Sequence, residues 1–426
     1  MIEKYYERVS SFVMGMLFII LSIILFVGKN YLYRSMVQVV ILVLFIRSFL
    51  EMVKFFLRKL DKRGKQSVFV SCLFHLGACL VFILIPNLFY GIVPLLFGVY
   101  LLIIGLAQFV MCLLEIKNGE FIQISQFLVG VIYLGIAIPI MESPVIKIDT
   151  FVRCLAVYTG LLGLYYVYDF VMQVVPVRDK NKLKRRIRIT LPKIVEAIIP
   201  YSVMVEINRN LEVKKTGSYS FEKEEQRKDL NILIHTSNRG FNRMGHIDIC
   251  FDGCVISYGN YDEGSRKWHD FFGDGVLFTT NNKADYINFC IDNSKKTVFD
   301  FGISLTDSQK SRVRTRIDEL FANTINWNYL GDKKYNHGKS YAAKLHKRTN
   351  AKFYKFKKGK YRTYFVLGTN CCYLADDIVG KSGMDILSIN GIITPGTYYD
   401  YLNRELMRKR SNVISKDIYN SSNRAR

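Results

Sequence analysis

What this sequence lacks is a cysteine pair at zinc-ligand spacing with a matching second pair. Its cysteines stand at Cys72, Cys79, Cys112, Cys154, Cys250, Cys254, Cys290, Cys371 and Cys372. That odd number, without a scaffold pattern, speaks against a structural zinc site or a disulfide-stapled secreted domain. It points to reduced thiols in a cytoplasmic setting. Acidic residues are scarce as well: 36 Asp and Glu face 59 Lys and Arg, a formal net charge of +23. The first apolar run, behind MIEKYYERVSS, lacks a small-residue cleavage site, so it reads as a retained helix and not a removed signal peptide. The apolar runs also lack charges at their centres, which leaves no ion or solute pathway to argue for. Arg47, Glu51, Gln108 and Asp169 lie near their ends and read as snorkelling or paired groups.

What is present is unevenly distributed. Half of the 426 residues are hydrophobic, and up to about residue 176 the chain is mostly Leu, Ile, Val and Phe. Six apolar segments run at roughly 11–28, 36–57, 69–88, 91–114, 121–141 and 151–175, each near the ~20 residues that a membrane helix needs. RKLDKRGKQ and VRDKNKLKRRIR follow the second and sixth segments, whereas GKN, IPNLFYG and MESPVIKID are poor in basic residues. The positive-inside rule then puts both termini and the polar half in the cytoplasm, in a multi-pass protein of the cell membrane. RSFLEMVKFF, IGLAQFVMCL and GLYYVYDFVM recur at the ends of the second, fourth and sixth segments, at a period of roughly 57 residues. This layout of three helical hairpins resembles the HdeD-like family of six-helix bacterial membrane proteins, which implies a compact bundle and no transferable chemistry.

The expected organisation is therefore multi-domain. Residues 1–176 form an all-α six-helix transmembrane domain, 177–235 a basic juncture and linker, 236–403 an α+β domain with an antiparallel sheet, and 404–426 a basic tail. The run Lys180, Lys182, Lys184, Arg185, Arg186 and Arg188 suits anionic headgroups at about 1 kcal/mol per charge. Its position behind a membrane helix argues against nucleic acid.

In MGHIDICFDGCVISYGNYD, Asp252-Gly253 is a hairpin turn signal flanked by alternating residues. If Phe251 pairs with Cys254, Asp248 faces Ser257, and His246 faces Gly259, whose missing side chain leaves room at the imidazole. TDSQ opens a helix with a capping box at Thr306 and Gln309. KFYKFKKGKYRTYFVLGT reads as a hairpin turning at Lys358-Gly359 that delivers the chain to LGTNCCYLADDIVG. There Thr369 or Asn370 caps a helix starting near Cys371. A thiol in a first helical turn feels the positive end of the dipole and free N–H groups, both of which favour the thiolate. A histidine on a neighbouring strand completes a thiolate–imidazolium pair. Cys372 reads as a core residue. His235, His269, His337 and His346 read as solvated, and Trp268, Phe271 and Phe272 as core or groove lining.

The order of histidine before cysteine, carried by GHIDICFDG, VISYGNYD and GTNCCYLADDI, resembles the circularly permuted branch of the papain-like NlpC superfamily. That branch includes the lecithin:retinol acyltransferase-like thiol enzymes. The resemblance implies Cys371 as nucleophile, His246 as base and Ser257 at the orienter position, with Asp248 and Asn260 as spare candidates. It implies a membrane-anchored cysteine hydrolase or acyltransferase acting on an amide, ester or thioester at the cytoplasmic membrane face. The expected partners are an anionic bilayer and a lipid, lipidated-protein or peptide substrate; homo-oligomerisation stays open. No cofactor, metal or nucleic acid is expected. The competing reading is an inactive papain-like binding or regulatory module tethered to a membrane bundle.

Overall fold

The computed structural model describes residues 2–57, 86–121, 123–142, 144–174, 227–236, 245–328, 340–382, 394–407 and 411–425 except 422. Parts of 69–84 and the short stretches 187–188, 219–222 and 387–388 are described too. The chain divides into two compact units. One comprises Glu7–Leu106 and Leu128–Phe170; the other comprises Met1–Tyr6, Ala107–Phe127 and Val171–Arg426.

The apolar half is helical: α1 (Ile2–Leu57), α2 (Pro86–Lys117), α3 (Ile124–Glu142) and α4 (Pro144–Val174). The segments expected as separate helices at 11–28 and 36–57 are one continuous helix. The physical reason is that Gly28-Lys29-Asn30 contains no proline, and one glycine costs a helix only about 1 kcal/mol. The third expected segment lies partly outside the described residues. Among those described, Pro94–Lys117 is long and apolar enough to cross a membrane, and Phe12–Gly28, Gln126–Glu142 and Phe151–Leu164 are shorter apolar stretches. Six separate spans are not found among the described residues. In the first unit Leu25, Val152 and Ala156 form one buried cluster and Leu101, Ala137 and Ile140 another.

The second unit is α+β. Its strands are β1 (Ile187–Arg188), β2 (Tyr219–Glu222), β3 (Leu230–Thr236), β4 (His246–Phe251), β5 (Cys254–Gly259), β6 (Phe272–Asp274), β7 (Val276–Thr280), β8 (Thr297–Ile303), β9 (Thr324–Asn326), β10 (Lys352–Phe356), β11 (Thr363–Phe365), β12 (Leu387–Ser388) and β13 (Val413–Tyr419). Its helices are α5 (Lys283–Ser294), α6 (Asp307–Ala322), α7 (Tyr341–Thr349), α8 (Cys371–Lys381) and α9 (Pro395–Met407). Nine strands form one antiparallel sheet in the order β2-β13-β8-β3-β4-β5-β7-β10-β9. Strands β6 and β11 pair separately, as do β1 and β12. The sheet reaches beyond 236–403 at both ends, since β3 falls in the stretch read as linker and β13 in that read as tail.

Alternation along the strands sorts side chains to two covered faces. Ile232, Ile249, Ile256 and Phe301 pack with α6, α8 and α9. Leu233, Cys250, Val255 and Phe278 pack with α5 and α7. The β4–β5 register pairs Asp248 with Ser257 and Phe251 with Cys254, as the turn predicted. The capping box of α6 is present, with Thr306 and Gln309 each bonding the other's backbone N–H. The expected 352–369 hairpin is not. Strand β10 pairs with β7 and β9, and β11 pairs with β6, because the 3-10 turn at Lys360–Arg362 carries the chain off the main sheet.

Gly245 fixes where β4 begins. Its φ of +87° lies in the left-handed region, and an added Cβ would sit 2.9 Å from Pro395 Cβ and 3.0 Å from the His235 carbonyl oxygen. Gly245→Ala should therefore cost roughly 1–3 kcal/mol of stability, read as a lower denaturant midpoint with an unchanged slope. An unchanged midpoint would show that the start of β4 tolerates a side chain.

Candidate functional site

His246 is the first residue of β4, and three neighbouring strands build its surroundings. On β3, His235 lies directly opposite His246 and Leu233 opposite Asp248; on β5, Ser257 lies opposite Asp248. The period of two then brings His235, His246, Asp248 and Ser257 to one face. Asp248 has no exposed side-chain surface. Its Oδ2 accepts from His235 Nε2 at 2.5 Å and from the Tyr286 hydroxyl at 2.5 Å. Its Oδ1 forms an ion pair with His246 Nε2 at 2.9 Å. Ser257 Oγ and the Tyr261 hydroxyl lie 3.1 and 3.0 Å from the same nitrogen, and 2.6 Å from each other.

The thiol comes from α8. Asn370 caps that helix, its Oδ1 accepting from the Tyr373 N–H at 3.1 Å while its Nδ2 donates to the Val366 carbonyl at 2.8 Å. Thr369, the other cap candidate, instead donates its hydroxyl to the Thr363 carbonyl at 2.7 Å. The two bonds tie the Cys371 turn to the strand before it. Cys371 is 5% exposed and Cys372 is fully buried. Cys371 Sγ interacts with the Cys372 thiol, the His246 ring, the Ile247 backbone N–H and the Tyr364 hydroxyl.

These contacts set the charges. The Cys371 thiol is held well below the ordinary range, first by the hydrogen bond from Cys372, then by the His246 charge and bond and the Ile247 N–H, all against burial. Cys372 goes the other way, because burial and the neighbouring sulfur charge push it well up. The sulfurs are 3.9 Å apart, so Cys372 is the neutral donor and Cys371 the thiolate. Burial alone would lower the His246 imidazolium, but the charges of Cys371 and Asp248 outweigh it and lift the ring to about 10. His235 behaves oppositely: burial drives it down to about 4 despite Asp248, so it is a neutral Nε2–H donor. Asp248 stays ionised, with both histidines overcoming its burial.

The structure brings Cys371, His246 and Ser257 together. Ser257 hydrogen-bonds the imidazole; the negative charge beside the ring belongs to Asp248, a spare candidate in the sequence. Asn260 is not in the cluster, since its amide donates to the Asp270 and Phe272 carbonyls. His235 departs from the solvated ring that the sequence predicts: it is 1% exposed in β3, where LNILIHT is buried throughout. Gly259 does not leave an open space over the imidazole, because the Tyr261 ring lies 2.8 Å from where a Cβ would be. His346 is exposed, its Nδ1 bonding the Ala351 carbonyl, His269 is exposed as well, and His337 lies outside the described residues. Trp268 is not core: it is 79% exposed. Tyr261, Tyr286 and Tyr364 were missed because aromatic residues pervade this chain and nothing local marks those three. Among the described residues no metal-ligand cluster of His, Cys, Asp and Glu occurs. An open surface depression lined by Asn282, Arg348, Asn350 and Lys352 contains none of the clustered residues.

Comparison with known protein families, with curated proteins and with solved structures finds no match to this chain.

The depressed thiol and raised imidazole define a window. A lowered thiol is a thiolate above its own pKa, and the imidazolium persists below about 10, so the ion pair spans neutral pH. Alkylation of Cys371 by iodoacetamide should be nearly flat from about pH 6 to 8, where an ordinary thiol of pKa ~8.5 slows about tenfold per unit of acidification. Asp248→Asn should shift the reactive limb toward the ordinary thiol range, read by mass spectrometry of the alkylated peptide. An unshifted profile would mean that Asp248 does not support the pair.

Proposed function

We propose that this chain is a membrane-anchored cysteine hydrolase or acyltransferase of the permuted papain-like kind, acting on an amide, ester or thioester at the cytoplasmic membrane face. One observation carries the reading: a buried cysteine at a capped helix N-terminus, interacting with a histidine ring that is held by a buried carboxylate. Structural ion pairs are usually solvated or replaceable. A thiolate deprived of solvent is the nucleophilic form of cysteine, and the helix terminus supplies N–H groups without intrahelical acceptors.

The sulfur of Cys371 attacks the carbonyl carbon and forms a C–S bond as the carbonyl oxygen takes up negative charge. N–H groups of the first turn of α8 stabilise that oxygen. The tetrahedral adduct collapses, and the His246 imidazolium passes its proton to the departing amine, alcohol or thiol. The now neutral imidazole takes a proton from water, or from an acceptor hydroxyl or amine. That nucleophile attacks the thioester and releases Cys371 as thiolate with His246 again protonated. Asp248, Ser257 and Tyr261 keep the ring oriented, while Cys372 and Tyr364 donate to the resting sulfur.

The mostly apolar 1–174 region, the Pro94–Lys117 helix and the basic stretch before the sheet support a membrane anchor with anionic headgroups as partner. The layout of hairpins supports an HdeD-like comparison only where the helices are separate. An acyl-phosphonate or activated thioester probe should label Cys371 and leave a trappable acyl-enzyme. Labelling should vanish in Cys371→Ala, fall by about 10²–10⁴-fold in His246→Ala and persist in Cys372→Ser. Equal labelling of all three variants, or none of the wild-type protein, would favour the tethered binding module.

A further inference from the structure

The tip of the turn between β5 and β6 is an aromatic projection that the catalytic reading does not use. Arg266, Lys267, Trp268, His269 and Asp270 precede Phe271 and Phe272, and Lys267 and Phe272 close the turn with reciprocal backbone bonds of 2.9 and 3.2 Å. Trp268, His269 and Asp270 all have positive φ, at 52°, 52° and 71°. Three successive non-glycine residues in this region are uncommon, and here they hold an indole that is 79% exposed.

That indole is not isolated from the apolar part of the chain. Its ring meets Phe272 edge-on at 5.9 Å, and Phe272 stacks on Phe365 at 4.7 Å. Phe365 shares a buried cluster with Ala107 and Met111 of α2. Those two residues lie within Pro94–Lys117, the stretch apolar and long enough to cross a membrane. Past them α2 exposes Leu113 and Ile116, and beyond the α2 end Phe121 is 96% exposed. Gly359 N–H donates to the Asn118 carbonyl at 2.9 Å, and Thr363 Oγ1 donates to Asn118 Oδ1 at 3.1 Å. The end of α2 is thereby fixed to the turn and strand that lead to Cys371.

We infer that the Trp268 turn is an interfacial membrane anchor. Trp268 seats at the headgroup level beside the point where α2 leaves the bilayer, and Lys267 contacts anionic lipid. Tryptophan favours this depth because its ring is apolar and its N–H polar. A cation flanking it draws on the negative surface potential of an anionic leaflet. Arg266 contributes less, since it pairs with Asp270 at 3.5 Å. The inference rests on the membrane anchoring proposed above, and not on the thiol chemistry.

The sequence has two tryptophans, so Trp327→Phe leaves Trp268 as the sole indole. The full chain carrying that change is reconstituted in phosphatidylcholine vesicles with and without phosphatidylglycerol, and with lipids brominated near the headgroup or near the chain ends. Trp268 emission should be blue-shifted and quenched by shallow bromine more than by deep. Lys267→Glu should lose the extra quenching that anionic lipid brings. Emission quenched by aqueous acrylamide and untouched by bromolipid, in protein that floats with the vesicles, overturns the inference. A blue shift without bromolipid quenching also overturns it, because the occupant is then protein. Protein that fails to float with the vesicles overturns the membrane anchoring itself.

Discussion

The arrangement of this site depends on a carboxylate that water never reaches. Asp248 has lost all side-chain exposure, and an ion in that position costs several kcal/mol unless every oxygen is answered. It is answered from three sides: by His235 on the next strand, by Tyr286 on α5, and by the charge of His246 on its own strand. His235 stays neutral, so of the two histidines on Asp248 the charged one is the ring that faces Cys371. The negative charge of Asp248 thus appears at the sulfur as a proton held on His246. An apolar trio of similar volume would stabilise the sheet as well or better. The polar cluster is explained by what it does to the thiol.

The two adjacent cysteines divide along the same lines. Both lie in the first turn of α8 and both are buried, yet their thiols are shifted in opposite directions. Burial by itself would raise both. What separates them is the company that each keeps. Cys371 has a cation, a backbone N–H and two neutral donors, while Cys372 has packing and the anion next to it. A helix N-terminus by itself does not choose between neighbours that it holds equally well.

Much of this was legible in the sequence, and for identifiable reasons. The Asp252-Gly253 turn fixed the β4–β5 register, and with it the pairing of Asp248 with Ser257. The Thr306 box is local and legible, and so is a cap at Thr369 or Asn370, of which the fold uses Asn370. His235 was lost because its meaning comes from β3 lying beside β4, a pairing between segments joined by an unmarked connection. Tyr261 and Tyr286 reach the site from a turn and from a helix whose position depends on tertiary packing. The 352–369 stretch failed as a hairpin because a turn signal says where a chain bends, and not which strand it pairs with afterwards. The α1 helix failed as two spans because a short polar interruption without proline does not stop a helix.

The central claim is that His246 is an imidazolium at neutral pH because Cys371 is an anion. Nitrogen-15 NMR of histidine-labelled protein reads this directly, since a doubly protonated ring has two similar nitrogen shifts and a neutral ring two widely separated ones. The account predicts one doubly protonated histidine at neutral pH, assigned through His246→Gln, that becomes neutral in Cys371→Ala. A His246 ring that is neutral in the wild-type protein, or charged whether or not Cys371 is present, would contradict it.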